Sequence, residues 1–245
     1  VLKGAFALEL RLGLRTRATK DIDLGRADDE EAATGHLNAA ASVDLGDFFD
    51  FEVRRTPAFD AAAGFHAVRY TVRADLAGSR FEQFPVDIAL SESSPIQAEP
   101  LLSANSLEFA DVVALQLPVL SLEQHVAEKL HAYTGTFGHD ERESTRVKDL
   151  VDLVLIGQLA ALDATRLRQA LAVTFERRAR QPLPNALPSP PSSWARPYAV
   201  LAREVGVAVE IEAGHAAAAR LLEPVLRSEA GGYWDPGARR WRSRA

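Results

Sequence analysis

At 245 residues, with 47% hydrophobic and 25% charged side chains, the chain has the profile of a folded globular protein long enough to bury a real core. Its lack of cysteine excludes disulfides, thiolate catalysis and cysteine-based zinc sites, and it carries neither a signal peptide nor an apolar run of about eighteen residues that would span a membrane, which fits a cytoplasmic location. A net charge of -6 and a pI near 5.6 exclude a chain that coats nucleic acid by overall positive charge, while leaving room for a local basic groove.

The sequence contains no methionine and opens with Val1-Leu2-Lys3-Gly4 already in an apolar pattern, so a preceding segment is expected. Residues 5–14 carry Phe6, Leu10 and Leu14 at four-residue spacing, which predicts a short helix ending near Gly13. A basic stretch with Arg11, Arg15, Arg17 and Lys20 leads into Asp21-Ile22-Asp23-Leu24. If that tetrapeptide is extended, both aspartates project on one side and Ile22 and Leu24 on the other. Paired carboxylates suit a hard cation such as Mg2+, although the same pattern also serves as a solvated surface strand. A helix opening after Lys3-Gly4, followed by a returning strand, brings free helix N–H groups beside Asp21 and Asp23, an anion site next to a cation site.

Residues 28–45 predict a helix with Asp28, Asp29, Glu30 and Glu31 in its first turn, followed by strands over 48–54 and 68–74 joined around Pro57 and Gly64. Residues 84–90 predict a further strand in which Asp87 stands alone among apolar residues, either as a strand-end residue facing solvent or paired with a metal or a base. The pattern changes register at Pro118, and Ser121-Leu122-Glu123-Gln124 has the form of a capping box opening a helix with a Leu122, Val126, Leu130, Tyr133 stripe. Lys129 lies next to this stripe. After a polar loop over 134–144, which contains His139, a second helix starts near Thr145 and displays Arg146, Lys148, Asp149 and Asp152, whose spacing allows surface pairs worth about 0.2–0.5 kcal/mol each.

A helix over about 163–180 precedes Gln181–Pro197, which holds six of the thirteen prolines and reads as an extended connector rather than a packed element. Helices are expected over 198–205 and 215–226. The tail combines Tyr233, Trp234 and Trp241 with Arg239, Arg240, Arg242 and Arg244, a mixture that either stacks on nucleic-acid bases or pins the C-terminus to the surface.

Five separated segments, Lys3–Leu8, Ala18–Leu24, Val86–Ile88, Ala127–Ala132 and Arg146–Leu153, together resemble the nucleotidyltransferase toxins of the AbiEii/AbiGii type, within the DNA polymerase beta-like superfamily. The resemblance covers residues 3 to about 157. It implies an α+β fold, with a nucleotidyltransferase core of mixed sheet and flanking helices over 1–117 and a helical portion over 118–245 that includes the connector 181–197. It further implies that Gly4 sits in a phosphate turn with Thr19 nearby, and that Asp21, Asp23 and Asp87 bind Mg2+ or Mn2+. Asp87 would also take the proton of the attacking hydroxyl. Lys129 would neutralise a nucleotide phosphate, and Lys148, Asp149 and Asp152 would contact the nucleotide or hold Lys129. Ala5 departs from the glycine or serine usual there, leaving fewer phosphate donors.

The activity so implied is transfer of a nucleotide from a nucleoside triphosphate (NTP) to an RNA acceptor, the tRNA 3′ end, by a toxin with a cognate antitoxin protein and no membrane partner. Arg11, Arg15, Arg17 or the basic tail would meet the RNA. A catalytically inactive nucleotide- or protein-binding module of the same fold, and a metal-dependent nuclease, are the competing readings. His131 and His139 carry little weight as catalysts beside Lys129.

Overall fold

The computed structural model of the chain describes residues 1–26, 28–56, 66–90, 98–103, 114–135, 146–179 and 181–243. It divides into two compact units, one formed by Val1–Arg11 with Ala18–Leu120 and the other by Leu12–Arg17 with Ser121–Ala245. Among the described residues no helix is long and apolar enough to cross a membrane.

The first unit is built on a seven-stranded mixed sheet in the order β3-β4-β5-β2-β1-β7-β6. Its strands are β1 (Leu2–Lys3), β2 (Ile22–Arg26), β3 (Phe49–Arg55), β4 (His66–Leu76), β5 (Ser79–Leu90), β6 (Ala98–Leu102) and β7 (Gln116–Leu120). Two helices, α1 (Gly4–Leu12) and α2 (Glu30–Ala41), belong to it. Strand alternation sorts the residues by face. Ile22 and Leu24 of β2 pack with Val86, Ile88 and Leu90 of β5 and Val68, Tyr70 and Val72 of β4 in one apolar layer, to which α2 adds Ala33 and Leu37. Phe6, Ala7 and Leu10 of α1 pack with Leu2, Ile22, Leu24 and Val119. The intervening residues Asp23, Asp87 and Arg69 therefore point to the other face.

Several expectations shift. The helix predicted over 28–45 is shorter, with Asp29 as its N-cap accepting from Ala32 N at 2.8 Å. The strands predicted over 68–74 and 84–90 extend to a long hairpin, since β4 and β5 pair antiparallel from His66↔Leu90 to Leu76↔Ser79. Pro118 does not mark a break. It sits inside β7, directly opposite Pro100 of the edge strand β6. Strands β1 (two residues), β6 and β7 (five residues each) add to the strands expected from the sequence.

The second unit is mostly helical: α3 (Leu122–Thr134), α4 (Val147–Leu159), α5 (Ala164–Arg178), α6 (Ala195–Val205) and α7 (Ile211–Leu226), with a small antiparallel sheet of β8 (Leu162–Asp163), β9 (Tyr233–Asp235) and β10 (Arg240–Arg242). Helix α4 touches α3, α6 and α7 and buries nearly every residue, Asp149 and Asp152 included. A helix covered all round must find internal partners for its charges. Ser121 caps α3 by accepting from Gln124 N, and Gln124 Nε2 donates to Thr174 Oγ1 of α5.

The proline-rich stretch 181–197 is packed rather than a free connector. Leu187 and Trp194 are buried, Tyr133 donates to Pro188 O at 2.6 Å, and His215 Nε2 lies 3.1 Å from the carbonyls of Leu187 and Pro188. Proline removes donors but keeps acceptors, so such a run cannot join a sheet yet can be held through its carbonyls. The tail is pinned as well: Trp234 is buried and donates to Gly157 O, and Trp241 donates to Leu221 O.

Candidate active site

In the first unit the chain folds as β1, α1, β2, and the turn between β1 and α1 falls on Gly4 at φ +68°. Lys3 pairs with Asp23 across the antiparallel β1–β2 ladder, so α1 begins against Asp23. A Cβ built on Gly4 would lie 1.8 Å from Asp23 Oδ2. Glycine is needed here on two counts, a positive φ and a close approach. The expected neighbourhood of a helix N-terminus and the aspartate is therefore present, and a carboxylate there is favoured by the helix dipole.

Strands β2 and β5 are parallel neighbours with Asp23 opposite Asp87, and β4 places Arg69 opposite Asp87. Lys3, Asp23, Asp87 and Arg69 thus form one row across four strands, the two acids side by side and a base at each end. Adjacent like charges on a sheet are unfavourable. Arg69 offsets this by a two-pronged pair, Nε to Oδ1 and Nη2 to Oδ2 of Asp87, both at 2.6 Å. That hydrogen bonding holds the Arg69 guanidinium above its ordinary pKa against partial burial, with further help from the charges of Asp87, Asp21 and Asp23.

Asp21 immediately precedes β2 and is exposed, its N–H donating to Thr19 Oγ1 at 3.3 Å. Beside it opens a cavity of about 280 Å³, walled by Phe6, Ile22 and Phe84 and rimmed by Thr19, Lys20 and Glu82. Among the described residues no three acidic or histidine side chains are gathered closely enough to enclose a metal ion, and Asp87 is already held by Arg69. The three aspartates do not form a ready-made cage.

The second unit holds the other set of expected residues. Lys129 is 8% exposed and its Nζ lies 2.6 Å from Asp152 Oδ2 and 3.2 Å from Asp149 Oδ1. Burial pulls its pKa down, but the charges of Asp152 and Asp149 and the hydrogen bond to Asp152 outweigh that, against a small opposing effect of Arg17, and leave it above the ordinary lysine value. Arg17 adds a second cation to Asp152, through Nε at 3.2 Å and Nη2 at 3.3 Å. Asp149 and Asp152 consequently turn inward to Lys129 rather than forming surface pairs along α4, while Lys148 is exposed.

Two capacities of this cluster are unused among the described residues. Asp149 Oδ2 is buried without a hydrogen-bond partner, and the Lys129 ammonium, with three donors, meets only two carboxylates.

The basic segment departs from expectation. Arg11 is 15% exposed, paired with Glu99 and donating to Leu120 O, and Arg17 is 13% exposed on Asp152. Neither guanidinium is left to meet RNA; Arg15 alone of the three is exposed. His131 stacks edge-on against Phe175 at 5.0 Å, in keeping with a packing role, and His139 lies outside the described residues. Arg69 was missed from the sequence. Its one signal is a charge alternating with Val68, Tyr70 and Val72, which marks a face but not the Asp87 partner.

The family model for the nucleotidyl transferase AbiEii toxin, type IV toxin–antitoxin system, matches residues 1–228. A search of curated proteins returned no match. Among solved structures the chain is similar in fold to MenT4, a nucleotidyltransferase toxin from Mycobacterium tuberculosis H37Rv, with a TM-score of 0.54 and 19% sequence identity over 94% of this chain and 84% of that one.

Proposed function

Because the chain belongs to the AbiEii family of nucleotidyl transferase toxins of type IV toxin–antitoxin systems, we propose that it transfers a nucleotide from an NTP to an RNA acceptor, the 3′ end of a tRNA, with a divalent cation at the aspartate row. An antitoxin protein is the counterpart this family membership entails.

The observation that carries the reading is the contact of Gly4 with Asp23, next to Asp87. It sets free helix N–H groups against two adjacent carboxylates, which is what a metal-bound triphosphate requires. Two carboxylates suffice for Mg2+ that arrives with a nucleotide, since such ions take one or two protein carboxylates and complete their shell from phosphate and water. The donor set therefore fits, with Asp23 and Asp87 as ligands and Asp21 at their edge. A bound ion supplies positive charge to the leaving pyrophosphate and acidifies the attacking hydroxyl.

The chain's own residues do the rest. The α1 amides hold phosphate oxygens, with Ala5 contributing only its backbone. As the acceptor hydroxyl attacks the α-phosphorus, the bond to the β-phosphate oxygen breaks, pyrophosphate leaves, and Asp87 takes the hydroxyl proton once Arg69 has yielded it. The apolar walls of the cavity beside Asp21, with Thr19 at the rim, suit a base or ribose. Within the second unit, Lys129 has a third donor and Asp149 Oδ2 an open acceptor position for a polar ligand, while Asp152 holds Lys129 and Lys148 adds a surface cation.

The test is to incubate the protein with Mg2+, bulk tRNA and each labelled NTP in turn, beside Asp21→Ala and Asp23→Ala variants. Label on full-length tRNA from the native protein alone is the expected result. Shortened tRNA would indicate a nuclease, and nucleotide binding without covalent change would indicate an inactive module.

A further inference from the structure

In the second unit, α7 and the β9–β10 hairpin form a cavity of about 330 Å³ whose lining contains Arg220, Arg239 and Arg240 against a single acid, Glu229. The concavity is built rather than incidental. Trp241 Nε1 donates to Leu221 O at 2.9 Å, fastening the hairpin to the helix next to Arg220. Asp235 Oδ1 accepts from Ala238 N at 3.0 Å and its Oδ2 pairs with Arg242 Nε at 2.6 Å, which fixes the turn that carries Arg239 and Arg240.

Several other arginines of this unit are ion-paired: Arg227 with Glu223, Arg242 with Asp235, Arg166 with Glu123 and Arg178 with Glu128. Arg220 and Arg239 are exposed and have no ion pair among the described residues, and Arg240 has only the field of Asp235. Three guanidiniums facing one carboxylate leave the cavity with net positive charge, and a phosphate relieves this through the planar donor fork of arginine.

We propose that this cavity seats a phosphodiester of the RNA acceptor's backbone, a contact separate from the aspartate row. The proposal rests on the RNA-acceptor reading above. RNA fits better than an acidic peptide, because Trp241, fastened through its indole N–H to Leu221 and packed edge-on with Trp234, lines the same cavity, and arginine beside an aromatic is the pairing that grips single nucleotides.

The experiment uses the full chain and compares wild type, an Arg220→Gln/Arg239→Gln double variant and Arg227→Gln, whose arginine is ion-paired, as a control at an exposed position. Binding of tRNA is followed by fluorescence anisotropy over a salt series, NTP binding by a labelled nucleotide, and acidic-peptide binding with labelled deca-glutamate. The double variant should bind tRNA about tenfold more weakly, with a salt slope shallower by roughly one to two, at unchanged NTP affinity and thermal midpoint, while Arg227→Gln matches wild type. Wild-type tRNA affinity and slope in the double variant would overturn the cavity proposal and leave the RNA-acceptor reading standing. Loss of deca-glutamate binding with tRNA binding intact would reassign the cavity to an acidic protein. No tRNA binding by the wild type would remove both.

Discussion

Gly4 and Asp23 approach more closely than any side chain at position 4 allows: an added Cβ would stand 1.8 Å from Oδ2 and 2.6 Å from Cγ of Asp23. The cheapest relief for Gly4→Ala is a shift of the Asp23 carboxylate away from the start of α1. Alanine at φ +68° adds about 1–2 kcal/mol of backbone strain. The variant should fold with a modestly lower thermal midpoint but transfer nucleotide at least about tenfold more slowly, as read from initial rates at saturating NTP. Wild-type rates would show that the Asp23 position is not used.

Arg69 competes for the same carboxylate that a metal ion needs. Its two 2.6 Å bonds to Asp87 must be exchanged before Asp87 can ligate or accept a proton. Arg69→Gln removes the competing cation, so Mn2+ titrated calorimetrically into nucleotide-free protein should bind several-fold more tightly. Stability should fall by about 1–3 kcal/mol for the lost charged hydrogen bonds. Weaker Mn2+ binding would mean that Arg69 instead orients Asp87 for the ion.

Among the described residues Lys129 lies between two buried carboxylates, and Arg17 adds a second cation on Asp152. Lys129→Met leaves Asp149 and Asp152 under-compensated in a helix covered on every side, a change worth about 3–5 kcal/mol. Adding Asp149→Asn should recover part of that loss in urea unfolding, because the remaining carboxylate keeps Arg17. Equal instability of the single and double variants would refute the coupling.

What the sequence made legible depended on distance along the chain. Asp21 and Asp23 could be paired because alternation is local, and the neighbourhood of a helix start with Asp23 followed from the short β1–α1–β2 path. Asp87 joined them by residue type and family resemblance. Arg69 escaped because its partner is set by the register of a long hairpin that carries a bulge at Ala74/Asp75. Arg11 and Arg17 read as a surface cluster because their acids lie 88 and 135 residues away, beyond any local pattern. The packing of 181–197 was hidden for a related reason, since carbonyl acceptors leave no trace in composition.

Gly214 offers a test of the second unit's core that runs against helix propensity. In the interior of α7, alanine normally stabilises by about 1 kcal/mol over glycine. Here the added Cβ would lie 1.9 Å from the Tyr198 hydroxyl oxygen and 2.5 Å from Cζ, and Tyr198 is fully buried on α6. Gly214→Ala should therefore destabilise by about 1–3 kcal/mol, the range for an overpacked core. The Tyr198 hydroxyl has no hydrogen-bond partner among the described residues, so Tyr198→Phe should be neutral or slightly stabilising at pH 7. Burial, aided by the charge of Glu210, pushes the Tyr198 pKa up to about 12. Because the folded value is raised, the stabilisation is complete below the unfolded tyrosine pKa of about 10 and is lost as pH climbs towards 12. Tyr133 and Lys129, also raised, act in the same alkaline direction. Thermal midpoints of the wild type should fall above about pH 10, and Tyr198→Phe should make that fall shallower without abolishing it. An unchanged pH slope in the Tyr198→Phe protein would show that this hydroxyl ionises in the folded state as readily as in the unfolded one.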